Sequence, residues 1–299
     1  MKRKKYKNTR AEKICIITLM APAIIHLLVF WLGVQIETLG LAFTNAYTNE
    51  FTLDNFALAI SELFGGTAAT NMMLNLRNTM IFFVIGLLKV PFSIFVAYLI
   101  WRRCFGATFS RLGLYLPAAI GGIMLTIMYA KMMSSDGPLI HLIQNMTGAE
   151  GTYIFKVEHP LLYIILYDTF VGLGGSLIIW LGSMGRIPDD LIEYGKLEGI
   201  TPIQEFVKVI LPLIWPTFVT MITLQIIGMF GSSGSVMLLT DGQYGTSTIA
   251  FWMYQVVRDS QTDQYNYITA LGLVFTILTL PLVYFGRKFM NKYGSEVEY

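Results

Sequence analysis

Charged residues are scarce in this chain. Asp, Glu, Lys and Arg make up 13% of its 299 residues, whereas about a quarter is usual for a soluble domain. Hydrophobic residues account for 55%, and the mean hydropathy is +0.59. This composition excludes an ordinary soluble protein, and the long apolar runs predict an all-α membrane protein.

Residues that carry out covalent or metal chemistry are also few. Cys15 and Cys104 fall near the same predicted membrane face and do not indicate a disulfide framework. The three histidines lack metal-ligand spacing, no serine lies in a nucleophile elbow, and there is no phosphate-binding loop. Asp168 and Glu193 fall at different depths and do not form an acid–base pair. The sequence therefore predicts neither an enzyme nor a metal or cofactor bound by this chain.

Since about 20 apolar residues cross a bilayer, six spans are expected. They fall at about residues 14–43, 77–101, 109–133, 160–185, 214–239 and 266–286. Residues 14–290 form the membrane domain, between a basic N-terminus (1–13) and a short tail (291–299). Pro117 is expected to kink the third span, and the run Gly231–Ser235 to interrupt the fifth.

The positive charges indicate the orientation. Sixteen of the 21 Lys and Arg residues lie in the N-terminus, the loop between spans two and three, the loop between spans four and five, and the tail. Because positive residues stay in the cytoplasm, both termini and the loop of residues 186–212 are predicted to be cytoplasmic.

This loop of residues 186–212, named here the signature loop, is rich in helix signals. Pro188 suits the start of a first helix, and Gly199 suits its left-handed C-terminal cap. Thr201 to Gln204 predicts a capping box for a second helix, which Pro212 is expected to end. Two short helices joined by a glycine turn favour docking to another protein.

The signature loop resembles that of permease subunits of bacterial ABC importers, in which Glu-Ala-Ala is followed by Gly and a closing Ile-x-Leu-Pro. Glu193 takes the Glu position, Gly199 follows six residues later, and Pro212 closes the motif. Tyr194 and Gly195 replace the two alanines, Glu198 stands where Asp is usual, and Val209 stands for Ile. Leu53–Phe56, Asn78-Thr79 and the run 239–248 also resemble the family, so the resemblance covers roughly residues 14–290.

The resemblance is greatest to permeases for sugars and oligosaccharides of the maltose-transporter kind. It implies a second related permease, two ATPase subunits that bind ATP and Mg²⁺, and an extracytoplasmic sugar-binding protein, in a bacterial cytoplasmic membrane. Contact with lipid is expected, and nothing indicates nucleic-acid binding. The residues implied to couple to the ATPase are Glu193, Tyr194, Gly195, Glu198, Gly199 and Pro212.

In this family the sugar lies among the spans that flank the signature loop. Matching by distance from Glu193, together with the need for hydrogen-bonding and stacking groups, gives the expected substrate pathway. Its residues are Asp168, Gly172, Gly175, Gln225, Gly228, Met229, Phe230, Ser232 and Ser233.

Some alternatives remain open from sequence. Asp168 contacts the sugar or, equally, pairs with Lys89. The glycines of span four serve helix packing or open a ligand cavity, with packing the commoner use. Other solutes, such as glycerol phosphate, polyamines, phosphate or a metal, are rivals. So is a membrane scaffold that uses the signature loop to hold a soluble partner.

Overall fold

The computed structural model describes residues 10–65, 71–104, 106–147, 159–231, 234–259 and 263–293. They belong to two compact units. Of the described residues, those up to 65 and those from 259 to 274 form one unit, and those from 71 to 258 and from 275 to 293 form the other. Helices account for the regular structure of the described residues, apart from one isolated bridge between Thr44 and Phe51.

Four helical stretches are long and apolar enough to cross a membrane. These are Ile14–Ala42, Met72–Trp101, Pro160–Met184 and Gln264–Lys292. Two further pairs qualify as bent spans, Ala107–Ala119 with Gly122–Met132 and Pro202–Leu213 with Trp215–Phe230. By length and composition, the described part of this all-helical chain thus has four candidate membrane spans, or six if each bent pair is one span.

The first unit begins with α1 (Arg10–His26), which continues through a π-helical segment (Leu27–Gly33) into α2 (Val34–Ala42). Helix α3 (Asp54–Gly65) follows. The buried Asn55 side chain donates hydrogen bonds to the carbonyls of Ala42 (3.1 Å) and Thr44 (2.9 Å). Asn266 donates to the same Thr44 carbonyl at 2.6 Å. Two amide side chains therefore satisfy the backbone where α2 ends.

The core of the second unit lies between α4 (Met72–Trp101) and α8 (Pro160–Met184). Trp180 of α8 is fully buried, and its indole Nε1 donates to Ser93 Oγ of α4 at 2.8 Å. Ser93 Oγ in turn donates to the Val90 carbonyl at 2.7 Å. This chain of hydrogen bonds stabilises α4 against α8 next to Pro91, where proline removes a backbone donor.

The third predicted span is broken rather than kinked at its proline. Helix α5 (Ala107–Ala119) runs past Pro117 and ends at Ile120, and α6 (Gly122–Met132) leaves at 106° to it. Ile120 and Gly121 are extended, with ψ angles of 141° and 130°. Consecutive glycines after a proline disfavour continuation of the helix, which explains why the break lies at Ile120 and Gly121. Helix α7 (Pro138–Thr147) follows.

The fifth span is also interrupted, at the expected glycines. After α9 (Asp189–Leu197) and the second loop helix, α12 (Trp215–Ile227) ends in a 3-10 turn (Gly228–Phe230). A separate helix, α13 (Gly234–Leu239), follows. The chain then forms α14 (Ile249–Asp259) and the long α15 (Asp263–Tyr293), which extends beyond the predicted sixth span at both ends.

A tight loop between α13 and α14 is attached to the start of α4. Asn78 Nδ2 donates to the carbonyls of Gly245 and Ser247, both at 2.8 Å. Thr79 Oγ1 accepts the Ile249 amide at 3.0 Å. Asn78 and Thr79, at the entry of the second span, thus have a structural role, because their side chains form hydrogen bonds with backbone groups of a loop distant in sequence.

Candidate functional site

The first helix of the signature loop ends in a Schellman motif. Gly199 has φ +72°, its amide donates to the Lys196 carbonyl at 3.1 Å, and the Ile200 amide donates to the Gly195 carbonyl at 3.2 Å. These are the two bonds that define this cap. Pro188 is the N-cap of α9 rather than its first residue. The glycine turn predicted at Gly199 is confirmed.

Gly195 leaves room for the side chain of Ile200. A Cβ at this position would lie 2.6 Å from Ile200 Cδ1, just after the Schellman turn. Tyr194, its neighbour, is exposed, and its hydrogen bond to Glu198 together with the charge of that carboxylate raises the pKa of Tyr194. The turn therefore packs Ile200 back onto α9, leaving the Tyr194 ring at the surface.

The second helix starts as predicted and ends within one residue of the predicted end. Thr201 Oγ1 accepts the Gln204 amide at 3.4 Å, and Gln204 Oε1 accepts the Thr201 amide at 2.9 Å, which confirms the capping box. Helix α10 (Pro202–Glu205), a π segment (Phe206–Ile210) and α11 (Leu211–Leu213) follow without a break. The prediction that the helix ends at Pro212 is confirmed to within one residue, because α11 ends at Leu213 and the chain bends by 73° before the next helix. The wider π turn before Pro212 relieves the contact between its ring and the preceding turn.

The signature loop is anchored in the core between α4 and α8. The buried loop side chains Ile187, Ile192 and Ile210 belong to the same apolar cluster as Ile94, Tyr98 and Trp180, and so does Ile214 directly after the loop. The ring of Phe206 lies 4.9 Å from that of Tyr98.

One polar group of the loop is buried beside this cluster. Glu205 is 2% exposed, and its Oε1 lies 3.2 Å from the Tyr98 hydroxyl and 3.6 Å from Arg102 Nε. The Tyr98 hydroxyl also lies 2.8 Å from the Pro202 carbonyl, as a donor. Sequence reasoning missed Glu205, because its burial depends on the distant end of α4.

The loop also exposes several large apolar side chains among its charged ones. Leu197 is 87% exposed and Ile203 74%, and Leu191, Tyr194 and Val207 are also exposed. Glu193 of α9 and Glu198, its C-cap residue, are exposed as well. Large apolar side chains grouped at a surface mark interaction sites.

A second feature is a cavity of about 390 Å³ among the helices that flank the loop. Its wall comes from the middle of α4 and α8, the end of α12, and the start of α13. The polar side chains that line it are Lys89, Asp168, Thr169, Gln225 and Ser235, and the aromatic ones are Phe82 and Phe83. A few polar groups within an apolar wall are typical of ligand sites.

Two glycines provide room for the polar side chains of this cavity. A Cβ on Gly172 would lie 2.5 Å from Lys89 Nζ, and a Cβ on Gly86 would overlap the Gln225 amide. Glycine at these positions lets each long side chain lie directly against the neighbouring helix. The neighbouring Gly174 serves packing instead, since a Cβ there would overlap the Leu114 carbonyl of α5.

Asp168 has a partner other than Lys89. Ser235 Oγ donates to Asp168 Oδ2 at 2.6 Å. Among the described residues, direct ion pairs join Arg102 with Glu205 and Arg258 with Asp241, and none joins Lys89 with Asp168. Both charges line the same cavity, so they balance each other there without a direct contact.

The predicted pathway residues are only partly brought together. Asp168, Gly172, Gln225, Gly228 and Met229 line the cavity. Phe230 and Gly175 are not among its lining residues, and Phe230 stacks on Phe275 with ring centroids 4.4 Å apart. Ser232 and Ser233 lie outside the described residues. Lys89, Phe82 and Phe83 were not predicted to line it, because helix α4 is distant in sequence, and Ser235 of α13 was not predicted to line it either.

Known proteins similar to this chain are transporter permeases. No family model matches the chain. The probable ABC transporter permease YesP of Bacillus subtilis is 24% identical over 286 residues, covering 92% of this chain and 90% of YesP. AmyD of Thermoanaerobacterium thermosulfurigenes, a probable permease for starch degradation products, is 24% identical over 201 residues, covering 64% of this chain and 67% of AmyD.

The fold is similar to that of solved transporters as well. A bacterial ABC transporter that imports the acidic polysaccharide alginate has a chain with a TM-score of 0.79 at 19% identity, covering 95% of this chain and 98% of that chain. A second structure shows a bacterial alginate ABC transporter in complex with a periplasmic protein bound to an alginate pentasaccharide. Its matching chain has a TM-score of 0.70 at 18% identity, covering 92% of this chain and 93% of that chain. The resemblance to permease subunits of ABC sugar transporters, first visible in the signature loop, is thus confirmed by relatives and by fold along almost the whole chain.

Proposed function

We propose that this chain is a membrane-spanning permease subunit of an ATP-driven importer that takes up a sugar or oligosaccharide. The observation that carries the proposal is the signature loop, which is capped, shares an apolar cluster with α4 and α8, and exposes large apolar side chains such as Leu197 and Ile203. The similarity to permeases over 92% of the chain supports it.

The proposed assembly has four kinds of component. Two ATPase subunits bind ATP and Mg²⁺ and receive the exposed surface of the loop around Glu193, Tyr194, Glu198 and Gly199. A second permease completes the pathway, and an extracytoplasmic binding protein delivers the sugar, as the alginate importer bound to its periplasmic protein suggests. The chain itself neither binds a cofactor nor hydrolyses ATP. The distribution of Lys and Arg supports an orientation with both termini and the loop on the cytoplasmic side of a bacterial membrane.

The cavity is the proposed site of passage. Its amide, hydroxyl, carboxylate and ammonium groups offer partners for sugar hydroxyls, and Phe82 and Phe83 offer faces for a sugar ring. Because Lys89 and Asp168 are both present, the charges of the wall balance, which favours a substrate without high charge. Permeases for other solutes and a non-transporting scaffold are the rival functions.

Co-purification provides the first test. The chain carries a tag and is expressed with the ATPase and the second permease of its own organism, and the bound ATPase is measured. Gly199→Leu places a side chain at φ +72°, which costs about 1–2 kcal/mol and distorts the turn. Gly106→Leu is the matched control, because Gly106 also has a positive φ (+81°) and lies outside the loop.

The proposal requires that the wild type and Gly106→Leu retain the ATPase and that Gly199→Leu loses it or its coupling to sugar uptake. A folded wild type that retains no ATPase contradicts the importer and favours the scaffold. Retained ATPase without uptake of any sugar favours a permease for another solute.

A further inference from the structure

The cluster of Tyr98, Arg102 and Glu205 connects two parts of the molecule that are far apart in sequence. Glu205 belongs to the second helix of the signature loop, whereas Tyr98 and Arg102 lie at the C-terminal end of α4. The carboxylate contacts both, at 3.2 Å and 3.6 Å. The guanidinium of Arg102 also lies over the Tyr98 ring, 5.9 Å from its centroid.

The contacts of Glu205 are constrained by burial. Its side chain is 3% exposed and that of Arg102 is 29% exposed. A buried carboxylate that loses its cation becomes an uncompensated charge. Separation of the loop from α4 is therefore unfavourable in free energy. A capping box fixes the backbone around Glu205, and the Tyr98 hydroxyl holds the Pro202 carbonyl at 2.8 Å. Displacement of this loop helix therefore moves the end of α4 with it.

Helix α4 leads from this cluster to the cavity. It is continuous from Met72 to Trp101, and at 1.5 Å per residue Tyr98 lies about 13 Å along the axis from Lys89 in the cavity wall. Between them, next to Pro91, the bond from Trp180 to Ser93 holds α4 against α8. That bond ties the two helices that carry most of the polar cavity wall.

We propose that Tyr98, Arg102 and Glu205 are positioning residues that couple movement of the signature loop to the cavity through α4. In this role the apolar contacts of α9 place the loop, and the buried ion pair transmits its displacement to the helix bearing Phe82, Gly86 and Lys89. The inference rests on the proposed transport function and adds to it the route by which the ATPase reaches the substrate.

The test measures a change in the cavity caused by ATP. Cys15 and Cys104 are replaced by serine, and Thr169→Cys places one thiol in the cavity wall. In the complete transporter, in membrane vesicles, the rate of labelling by a small maleimide is compared with and without ATP and vanadate. This single-cysteine protein, with Tyr98, Arg102 and Glu205 unchanged, is the wild-type background of the test. Its labelling rate is expected to change when ATP binds.

Variants of the cluster separate coupling from folding. Glu205→Gln and Arg102→Met are expected to lose the ATP-dependent change in labelling while ATP hydrolysis and co-purification persist. Arg102→Lys keeps the positive charge and is expected to retain part of the ATP-dependent change in labelling. Arg103→Met is the control, since Arg103 adjoins Arg102, is exposed, and forms none of the ion pairs found among the described residues.

An unchanged ATP response in Glu205→Gln and Arg102→Met overturns the proposal, as does an equal loss in Arg103→Met. If Glu205→Gln and Arg102→Met do not fold, Tyr98→Phe takes their place, because it removes one oxygen and leaves the ring in the core. Its ATP-dependent change in labelling is then judged by the same criterion. The wild-type background tests the proposed function separately. If it shows no ATP response, transport itself is contradicted, and this inference with it.

Discussion

Three glycines of α8 are expected to respond differently to the same change, Gly→Ala. They lie within four residues, yet the surroundings of their Cβ positions differ. A Cβ at Gly174 meets the backbone of α5, with Ala118 Cβ at 3.0 Å and the Leu114 carbonyl closer still. At Gly172 it meets the Lys89 ammonium at 2.5 Å, and at Gly175 no described atom lies within 4 Å.

The magnitudes follow from what must move. Overpacking against a backbone costs about 1–3 kcal/mol, and alanine returns up to about 1 kcal/mol as the better helix former. Gly174→Ala should therefore lose about 2 kcal/mol of stability. Gly175→Ala should be neutral or gain up to about 1 kcal/mol. Gly172→Ala displaces only the end of a flexible lysine, so it should keep stability and reduce transport.

Thermal unfolding of the three variants in detergent, followed by tryptophan fluorescence, tests this order. Transport by the folded variants is measured alongside. Equal stability of Gly174→Ala and Gly175→Ala would refute the close approach of α5 and α8. Normal transport by Gly172→Ala would mean that the placement of Lys89 is not needed for substrate passage.

Three further predictions concern the same unit. Ser93→Ala leaves the buried Trp180 N–H without its acceptor and should cost about 1–3 kcal/mol, and the additional change Trp180→Phe should recover part of that loss in a double-mutant cycle. Asn78→Ala frees two carbonyls of the loop after α13 and should increase protease cleavage there, whereas unchanged cleavage would contradict this attachment. The double variant Lys89→Met, Asp168→Asn keeps the charge balance of the cavity, so it should express better than either single variant. If both residues contact the sugar, the double variant should also transport less sugar than the wild type.

Local signals in the sequence were sufficient for the signature loop. The glycine turn at Gly199 and the capping box at Thr201 involve neighbouring residues, so their geometry follows from short-range hydrogen bonds. The membrane character also follows from the sequence, since apolar length alone predicts it. The end of the second loop helix was predicted to within one residue, since it lies at Leu213, directly after Pro212.

Contacts between distant segments could not be predicted in the same way. The sequence does not show that Glu205 is buried against Arg102, since more than 100 residues separate them and each alone is consistent with a solvated charge. The cavity wall contributed by α4 likewise depends on how the helices pack.

Composition and local pattern by themselves determined the class of the protein, its spans in outline, and the turns of its signature loop, because these depend on the bilayer and on neighbouring residues. Only the tertiary structure showed that Gly172 makes room for the Lys89 side chain, that Gly174 allows close contact with α5, and that the Glu205 carboxylate is buried. Those roles depend on side chains and backbone brought within a few ångströms by helix packing.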